Sequence, residues 1–260
     1  MGLTFLILGC GWIGEAFAKK MQQRGHRVYA STTQEHKCRR LRDEGIYALM
    51  IDFENAINRT DLPSSFDYVL TSIPAVRNLD PRTVQQRFKH VLSLLQSITF
   101  KKNIFLSSVG VYPDVSGEFT EEFVITDPSN LLTAEHFMLK DSRTIIYRLG
   151  GLFGQNRIFA KYFQDKPCST GYQKANFIHQ SDVIELLYLG FTSDLEMSLY
   201  NVVCPEHPSK RDVIYASANK YGFNLPSSFD NVDGFQKVVL GERITQELQY
   251  TYLFPNPVLF

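Results

Sequence analysis

The chain has 260 residues, of which 44% are hydrophobic, and its 27 Lys and Arg residues balance 27 Asp and Glu residues. A chain of this length can bury a sizeable core, in one large domain or in two closely joined ones. The balanced charge excludes a global positive field of the kind that recruits nucleic acid or an anionic membrane. No apolar run is long enough to cross a bilayer, and the first residues do not resemble a signal peptide.

The cysteine pattern favours a reducing compartment. Cys10, Cys38, Cys168 and Cys204 lie far apart in the chain, and no two of them form a C-x-x-C pair. A structural zinc site needs closer ligand spacing, and a disulfide framework is typical of much shorter secreted chains. We therefore expect a cytoplasmic protein without a metal site.

A glycine-rich turn joins the first predicted strand, residues 3–8, to the first predicted helix. The turn reads Gly9-Cys10-Gly11-Trp12-Ile13-Gly14. G-x-G-x-x-G between a strand and a helix is the fingerprint of a dinucleotide site. The first glycine permits the tight turn, the second lets the pyrophosphate approach the backbone, and the third lets helix and strand pack closely. The alternative is a tight turn that binds nothing.

The predicted elements after this turn alternate between strand and helix. Strands are predicted at 27–32, 47–51, 66–72, 103–107 and 144–149, and helices at 35–44, 81–95 and 131–140. Asp80 is the expected N-cap of the helix that Pro81 opens. This alternation predicts an α/β fold of the Rossmann type, a doubly wound parallel sheet with a small C-terminal substrate lobe. The predicted division is 1–152 for the dinucleotide-binding domain and 153–260 for the lobe with returning sheet elements.

The strand ends are the expected place for ligand contacts. An NAD site usually has an acidic residue at the end of the second strand, where this chain has Thr32 and Thr33. We therefore predict NADP, with NAD as the alternative. Lys37, Arg39 and Arg40 are candidate partners of the 2′-phosphate, or else form a solvated helix face. Further candidate cofactor contacts are Asp52, Phe53, Ser72 and Pro74; Asp52 either bonds the adenine amino group or only caps a turn.

Six segments in order resemble the extended short-chain dehydrogenase/reductase group, in particular the NAD-dependent epimerase/dehydratase family and a small atypical branch of it. They are the glycine turn at 8–14 and the segments 105–112, 128–135, 147–154, 176–183 and 200–203. The resemblance implies that Ser108 takes the place of the family's active-site hydroxyl. It also implies a Tyr-x-x-x-Lys pair on the next helix, but the corresponding positions hold Asp127 and Leu131. Tyr162 and Lys166 have the same spacing, but they follow the sixth predicted strand, whereas the family's pair follows the fifth.

The missing pair leaves the proton donor open. Ser108, Tyr112 and His179 are the candidate catalytic residues, since each carries a group that can donate or titrate. Tyr112 and His179 have the alternative of a packing role. The predicted function is therefore an NADP-dependent oxidoreductase or epimerase acting on a small, sugar-like hydroxyl or carbonyl. The alternative is a dinucleotide-binding protein with little catalysis, serving redox sensing or interaction.

The resemblance also implies a homodimer. Family members commonly dimerise through the helices that follow the fourth and fifth strands. In this chain those helices carry the apolar residues Val84, Phe88, Val91, Leu92, Leu95, Phe137 and Met138. An isologous two-fold interface is one reading of these residues, and the core of a monomer is the other.

Overall fold

The computed structural model describes residues 2–55, 62–75, 78–230 and 234–260. Its strands are β1 (Thr4–Leu8), β2 (Arg27–Thr32), β3 (Tyr47–Met50), β4 (Tyr68–Thr71), β5 (Lys102–Ser108), β6 (Gly117–Phe119), β7 (Thr144–Leu149), β8 (Gly151–Phe153), β9 (Pro167–Cys168), β10 (Phe177–His179), β11 (Leu199–Val202), β12 (Ser228–Phe229) and β13 (Lys237–Val239). Its helices are α1 (Trp12–Gln23), α2 (Glu35–Asp43), α3 (Pro81–Gln96), α4 (Asn130–Met138), α5 (Gln180–Thr192), α6 (Lys210–Tyr221) and α7 (Glu242–Leu248).

The main sheet has seven strands in the order β11-β7-β5-β4-β1-β2-β3. The pairs β1–β2, β2–β3, β1–β4 and β4–β5 are parallel. The predicted α/β fold with a doubly wound parallel sheet is confirmed. The chain runs outward from β1 to β3 and then crosses back to β4, so the strand order reverses between β1 and β4. In sheets of this kind, ligands bind at such a reversal.

The first strand shows why the sequence selects this sheet. Residues 5–8 are fully buried, as expected for a strand covered by helices on both faces. The N-cap prediction for α3 is also confirmed, since Asp80 accepts a hydrogen bond from the backbone N–H of Thr83 at 3.1 Å. Pro81 follows at the first helical position, where its missing N–H costs nothing.

The chain forms two compact units. The first unit comprises Met1–Ser107, Pro128–Tyr147 and Leu187–Leu199, and the second comprises Ser108–Asp127, Arg148–Leu186 and Tyr200–Phe260. The large core of the first unit includes the buried faces of β1, β4, β5, α3 and α4. The second unit has smaller clusters, one of which centres on Phe153, Phe177 and Val213. The predicted division at residues 152 and 153 stays a prediction.

The apolar residues of α3 pack inside the first unit. Val84, Phe88, Val91, Leu92 and Leu95 are all buried, and they join Met138 of α4 in one core cluster. These residues therefore do not form the exposed apolar surface that the predicted two-fold interface would need. Dimer formation itself stays a prediction.

The helix that includes residues 131–138 and the chain tail differ from their predictions. The helix predicted at 131–140 begins at Asn130 and ends at Met138, because Ser129 caps its start and the chain turns before Asp141. The sequence Pro255-Asn256-Pro257 predicts an extended chain end, but the tail closes in a short 3-10 helix over Pro257–Leu259. The Asn256 side chain accepts from the Val258 N–H there, and this local bond outweighs the preference of proline for extended chain.

Candidate functional site

A cavity of about 400 Å³ opens in the first unit at the carboxyl ends of β1, β2, β3 and β4. This volume lies within the range of about 300–1,000 Å³ that is typical of small-molecule sites. Eight residues that the sequence predicted as cofactor contacts line it: Gly9, Gly11, Thr32, Thr33, Asp52, Phe53, Ser72 and Pro74. The other three, Trp12, Ile13 and Gly14, form the first turn of α1. The cavity therefore lies where the strand order reverses.

Gly9 is required by the close approach of the segment after β4, and Gly14 by the close contact of α1 with β1. Gly9 has φ +84°, and a Cβ there would lie 2.9 Å from the Ser72 carbonyl oxygen. A Cβ on Gly14 would lie 2.8 Å from the carbonyl oxygen of Gly9 and 3.2 Å from the Ile7 side chain. Any larger residue at either position must therefore displace backbone atoms.

Gly11 is different, because its surroundings are open. Within the part of the chain that the structure describes, and leaving aside its two chain neighbours, a Cβ at this position would meet no atom within 4 Å. The backbone φ is −78°, which ordinary residues adopt without strain. The space around a Cβ thus gives no reason for glycine here, whereas a ligand that approaches the N-terminus of α1 does. The open space at Gly11 fits the pyrophosphate of a dinucleotide.

The turn is held to β2 by hydrogen bonds from its backbone. The Gly9 N–H donates to Ser31 Oγ at 2.9 Å, and the Cys10 N–H donates to the Ser31 carbonyl at 2.7 Å. Thr32 Oγ accepts from the Gln34 N–H at 3.2 Å and so shapes the end of β2. These bonds fix the cavity wall before any ligand binds, which is the preorganisation that a tight site needs.

Positive charge reaches the cavity from α2 through Lys37. Its ammonium lies 2.9 Å from a carboxylate oxygen of Glu15 in the first turn of α1. Two nitrogens of Arg40 donate to the same carboxylate at 2.7 and 2.9 Å. These bonds, together with those from Lys37 and Lys19, hold the pKa of Glu15 far below its usual range. Arg39 pairs with Glu35 on the exposed side of α2. Of the three cations considered from the sequence, Lys37 is the one that lines the cavity.

Two carboxylates that line the cavity, those of Asp52 and Glu54, follow the end of β3. Asp52 accepts from the Glu54 N–H at 3.0 Å and from the Asn55 side-chain amide at 2.7 Å. It therefore caps a turn and also lines the cavity, so that the two roles left open by the sequence are compatible. Arg87 of α3 pairs with Glu54 and donates to the Pro74 carbonyl at 2.9 Å, closing this end of the cavity.

Ser108 is the last residue of β5 and is half-buried. Its Oγ accepts a hydrogen bond from the Gly110 N–H at 3.1 Å. A hydroxyl that accepts this bond keeps its own O–H to donate elsewhere. The geometry at Ser108 is therefore suited to a donor toward a substrate oxygen.

Tyr112 belongs to the second unit and is buried. Its hydroxyl lies 2.8 Å from Asn201 Oδ1 and 3.0 Å from the Thr120 carbonyl, and it accepts from Arg148 at 3.0 Å. Burial raises the pKa of the phenol, although Arg148 partly opposes this. The hydroxyl must break these bonds before it can meet a substrate, and a catalytic role for Tyr112 stays a prediction.

His179 is buried within an aromatic cluster of the second unit. Its ring centroid lies 3.7 Å from that of Phe254 and 4.7 Å from that of Phe260. Nδ1 accepts from the Ser181 N–H at 3.1 Å, and burial lowers the pKa of the imidazole to about 4. The ring is therefore neutral near pH 7, which suits packing, and its predicted catalytic role stays a prediction.

The glycine turn, β1 to β5 and the helices between them coincide with a known family model. The model of the NAD dependent epimerase/dehydratase family matches residues 5–134, half of the chain. The chain belongs to the NAD dependent epimerase/dehydratase family. The resemblance inferred from the sequence is confirmed at the level of the family. That Asp127 and Leu131 occupy the positions of the Tyr-x-x-x-Lys pair stays a prediction.

Individual relatives cover nearly the whole chain. Protein YeeZ of Escherichia coli is 28% identical over 270 residues, 97% of each sequence. The ADP-L-glycero-D-manno-heptose-6-epimerase of Helicobacter pylori has a TM-score of 0.79 at 17% identity, covering 99% of this chain and 94% of that one. The UDP-glucuronic acid 4-epimerase of Bacillus cereus, in complex with UDP-glucuronic acid and NAD, has a TM-score of 0.76 at 18% identity, covering 98% and 96%. At these identities the two solved structures show a shared fold.

Several residues that line the cavity were not predicted from the sequence. Ser31 offered a usable signal, because it is a polar residue in an apolar strand directly before Thr32. Arg87 offered none, because its arrival at the cavity depends on how α3 packs on the sheet. Cys10, Ile51 and Ile73 complete the wall with small or apolar surface.

The described part of the chain shows neither a metal cluster nor a membrane-spanning helix. No group of three or more His, Cys, Asp or Glu side chains lies close enough there to hold a metal ion. No helix in the same residues has both the length and the apolar character needed to span a membrane. All four cysteines are buried and free.

We expect Tyr112→Phe to lower the free energy of unfolding by about 1–3 kcal/mol, because Arg148 and Asn201 each lose a buried partner. Thermal or urea unfolding monitored by circular dichroism measures the change. Tyr162→Phe removes a hydroxyl from a side chain that is 56% exposed and should leave stability unchanged. Equal stability of the Tyr112 variant and the wild type would contradict the hydrogen-bonding role of this hydroxyl.

Proposed function

We propose that this protein is an NADP-dependent oxidoreductase or epimerase that acts on a sugar-like hydroxyl or carbonyl. The observation that carries the proposal is the open space at Gly11, within a cavity at the reversal of strand order. Family membership supports a nicotinamide cofactor. The choice of NADP rests on Thr32 and Thr33, which stand where a carboxylate would select NAD.

The residues that would hold the cofactor are those that line or border the cavity. Gly11 and the first turn of α1 would receive the pyrophosphate. Thr32, Thr33 and Lys37 would receive the 2′-phosphate, and Asp52 would accept from the adenine amino group. A bound nicotinamide supplies reversible hydride exchange with a carbon that carries oxygen. The protein supplies binding and orientation of the substrate oxygen.

Ser108 is our first candidate for that orienting role. We expect Ser108→Ala to lower kcat by roughly tenfold to a hundredfold and to change KM little, because a bond that strengthens in the transition state contributes mainly to kcat. Steady-state NADPH oxidation with an accepted substrate measures both constants. Ser198→Ala removes an exposed hydroxyl and serves as the matched control. A rise in KM at constant kcat would assign Ser108 to ground-state binding only.

A binding protein with little catalysis is the second candidate. It is favoured by Asp127 and Leu131 at the positions of the family's acid–base pair and by the bonded state of the Tyr112 hydroxyl. The retained Ser108, with its O–H able to donate, favours the enzyme. We place the enzyme first because a dinucleotide site at a strand-end crevice usually serves chemistry.

Two measurements separate these candidates. Calorimetric titration with NADPH and NADH tests the cofactor, and absence of binding of either would overturn both candidates. NADPH oxidation is then followed with a panel of sugar derivatives and small carbonyl compounds, while epimerisation of the sugars is followed by NMR. Turnover that Ser108→Ala reduces supports the enzyme. Tight NADPH binding without turnover of any member of the panel would make the binding protein the better proposal.

A further inference from the structure

The second unit contains a cavity of its own, of about 210 Å³. Among the residues that the structure describes, Lys174, Lys210 and Lys237 line it together with one carboxylate, that of Asp114. The three lysines come from separate segments: one precedes β10, one opens α6, and one begins β13. This concentration of positive charge stands out in a chain whose total charge is balanced.

The backbone fixes the three segments against one another. Lys174 forms an isolated bridge with Ser209, and the Lys210 N–H donates to the Gln173 carbonyl at 2.8 Å. The Asn176 side chain donates to the Lys237 carbonyl at 2.8 Å and accepts from the Val239 N–H at 2.7 Å. The lysines therefore share one cavity because of the fold, and not because flexible side chains happen to meet.

The positive charge is only partly compensated. Lys237 pairs with Asp114 at 2.6 Å. Lys210 donates to the neutral side-chain oxygen of Gln173, also at 2.6 Å. Burial, followed by repulsion from Lys237, lowers the pKa of the Lys210 ammonium. A second anion in the cavity would relieve this repulsion.

We propose that this cavity binds the phosphate of a small phosphorylated substrate. Among the described lining residues, three lysines and one aspartate carry a formal surplus of two positive charges, which matches a phosphate monoester dianion. Lysine binds phosphate as a compact point charge. The volume admits a phosphate with part of a small sugar and is below that usual for larger ligands. Taking the ligand as the substrate rests on the proposed function.

Calorimetry with inorganic phosphate, glucose 6-phosphate, glucuronate and uncharged glucose tests the site, with and without saturating NADPH. We expect glucose 6-phosphate to bind the wild type most tightly. Lys210→Gln should weaken its binding at least about tenfold, since a charge-assisted hydrogen bond is lost. Lys220→Gln removes the same charge from the exposed end of α6 and should leave affinity within about twofold.

Asp114→Asn should change the affinity for glucose 6-phosphate in the opposite direction, toward tighter binding. Its side chain is 55% exposed, so the variant should fold normally. Removing the competing carboxylate should tighten glucose 6-phosphate binding severalfold, whereas a purely structural ion pair would give no gain. This variant keeps the test decisive if Lys210→Gln fails to fold.

Three results would overturn the phosphate site. They are tighter binding of glucuronate than of glucose 6-phosphate, equal losses in Lys210→Gln and Lys220→Gln, and absence of anion binding at millimolar concentration. NADPH affinity is recorded in the same titrations. If NADPH binds while no anion does, this inference fails and the proposed cofactor site stands. If the anion binds while NADPH does not, the proposed function fails and the anion site remains.

Discussion

Gly11→Val should abolish binding of NADPH and NADH while the protein stays folded. The valine side chain enters space that no atom of the described residues, its two chain neighbours aside, occupies within 4 Å of the new Cβ, and the backbone φ of −78° suits an ordinary residue. The group that we expect the valine to displace is the ligand phosphate that would approach this turn. We expect at least about a hundredfold loss of affinity, and titration calorimetry beside thermal unfolding measures both effects.

Gly14 provides the contrasting control in the same turn. A Cβ there would lie 2.8 Å from the Gly9 carbonyl oxygen, so Gly14→Ala should destabilise the fold by about 1–3 kcal/mol. Gly11→Ala should leave the unfolding temperature unchanged and weaken cofactor binding. A folded Gly11→Val protein with wild-type affinity for both dinucleotides would refute the assignment of this turn to the pyrophosphate.

Residues that line one cavity could be predicted from the sequence because their determinants are local; that they bind a cofactor stays a prediction. Gly9, Gly11 and Gly14 act within a single strand–turn–helix, and Thr32 follows a strand whose end could be read from composition. Arg87 could not be predicted in the same way. It lies on α3, and only the packing of that helix brings it to Glu54 and the Pro74 carbonyl.

The apolar face of α3 shows a second limit of sequence reasoning. Helical spacing predicted which residues of α3 avoid water, and Val84, Phe88 and Val91 are indeed buried. Spacing alone does not say what covers them. Here Met138 and Ala134 of α4 belong to the same core cluster. The apolar face of α3 is therefore buried within one chain, although a dimer interface would bury such a face equally well.

Tyr112 and His179 show the same limit for titratable groups. Both residue types suit proton transfer, and both lie near segments that resemble the family's active site. Their surroundings come from distant residues: Asn201 and Arg148 for the phenol, Phe254 and Phe260 for the imidazole. Burial by such long-range contacts sets their pKa values, and a sequence pattern does not contain that information.

Thr32→Asp should reverse the preference for NADPH. In the wild type Thr32 Oγ accepts from the Gln34 N–H, and an aspartate oxygen can accept the same bond, so the end of β2 keeps its shape. The added carboxylate would repel a 2′-phosphate and accept from a 2′-hydroxyl. We expect NADPH binding to weaken by roughly tenfold to a hundredfold while NADH binding strengthens. The uncharged Thr32→Asn separates the effect of charge from that of shape.

Lys37, which lines the same cavity as Thr32, leads to a second prediction about cofactor choice. Lys37 and Arg40 share Glu15 with Lys19, and Glu44 also pairs with Lys19 and Arg40, so three cations meet two carboxylates. The remaining positive charge should select the 2′-phosphate, and Lys37→Gln should weaken NADPH binding about tenfold more than NADH binding.

Arg39→Gln removes an equal charge from the outer face of α2 and should affect neither cofactor. A wild-type protein that binds NADH more tightly than NADPH would contradict both predictions and would return Lys37 to a purely structural ion pair.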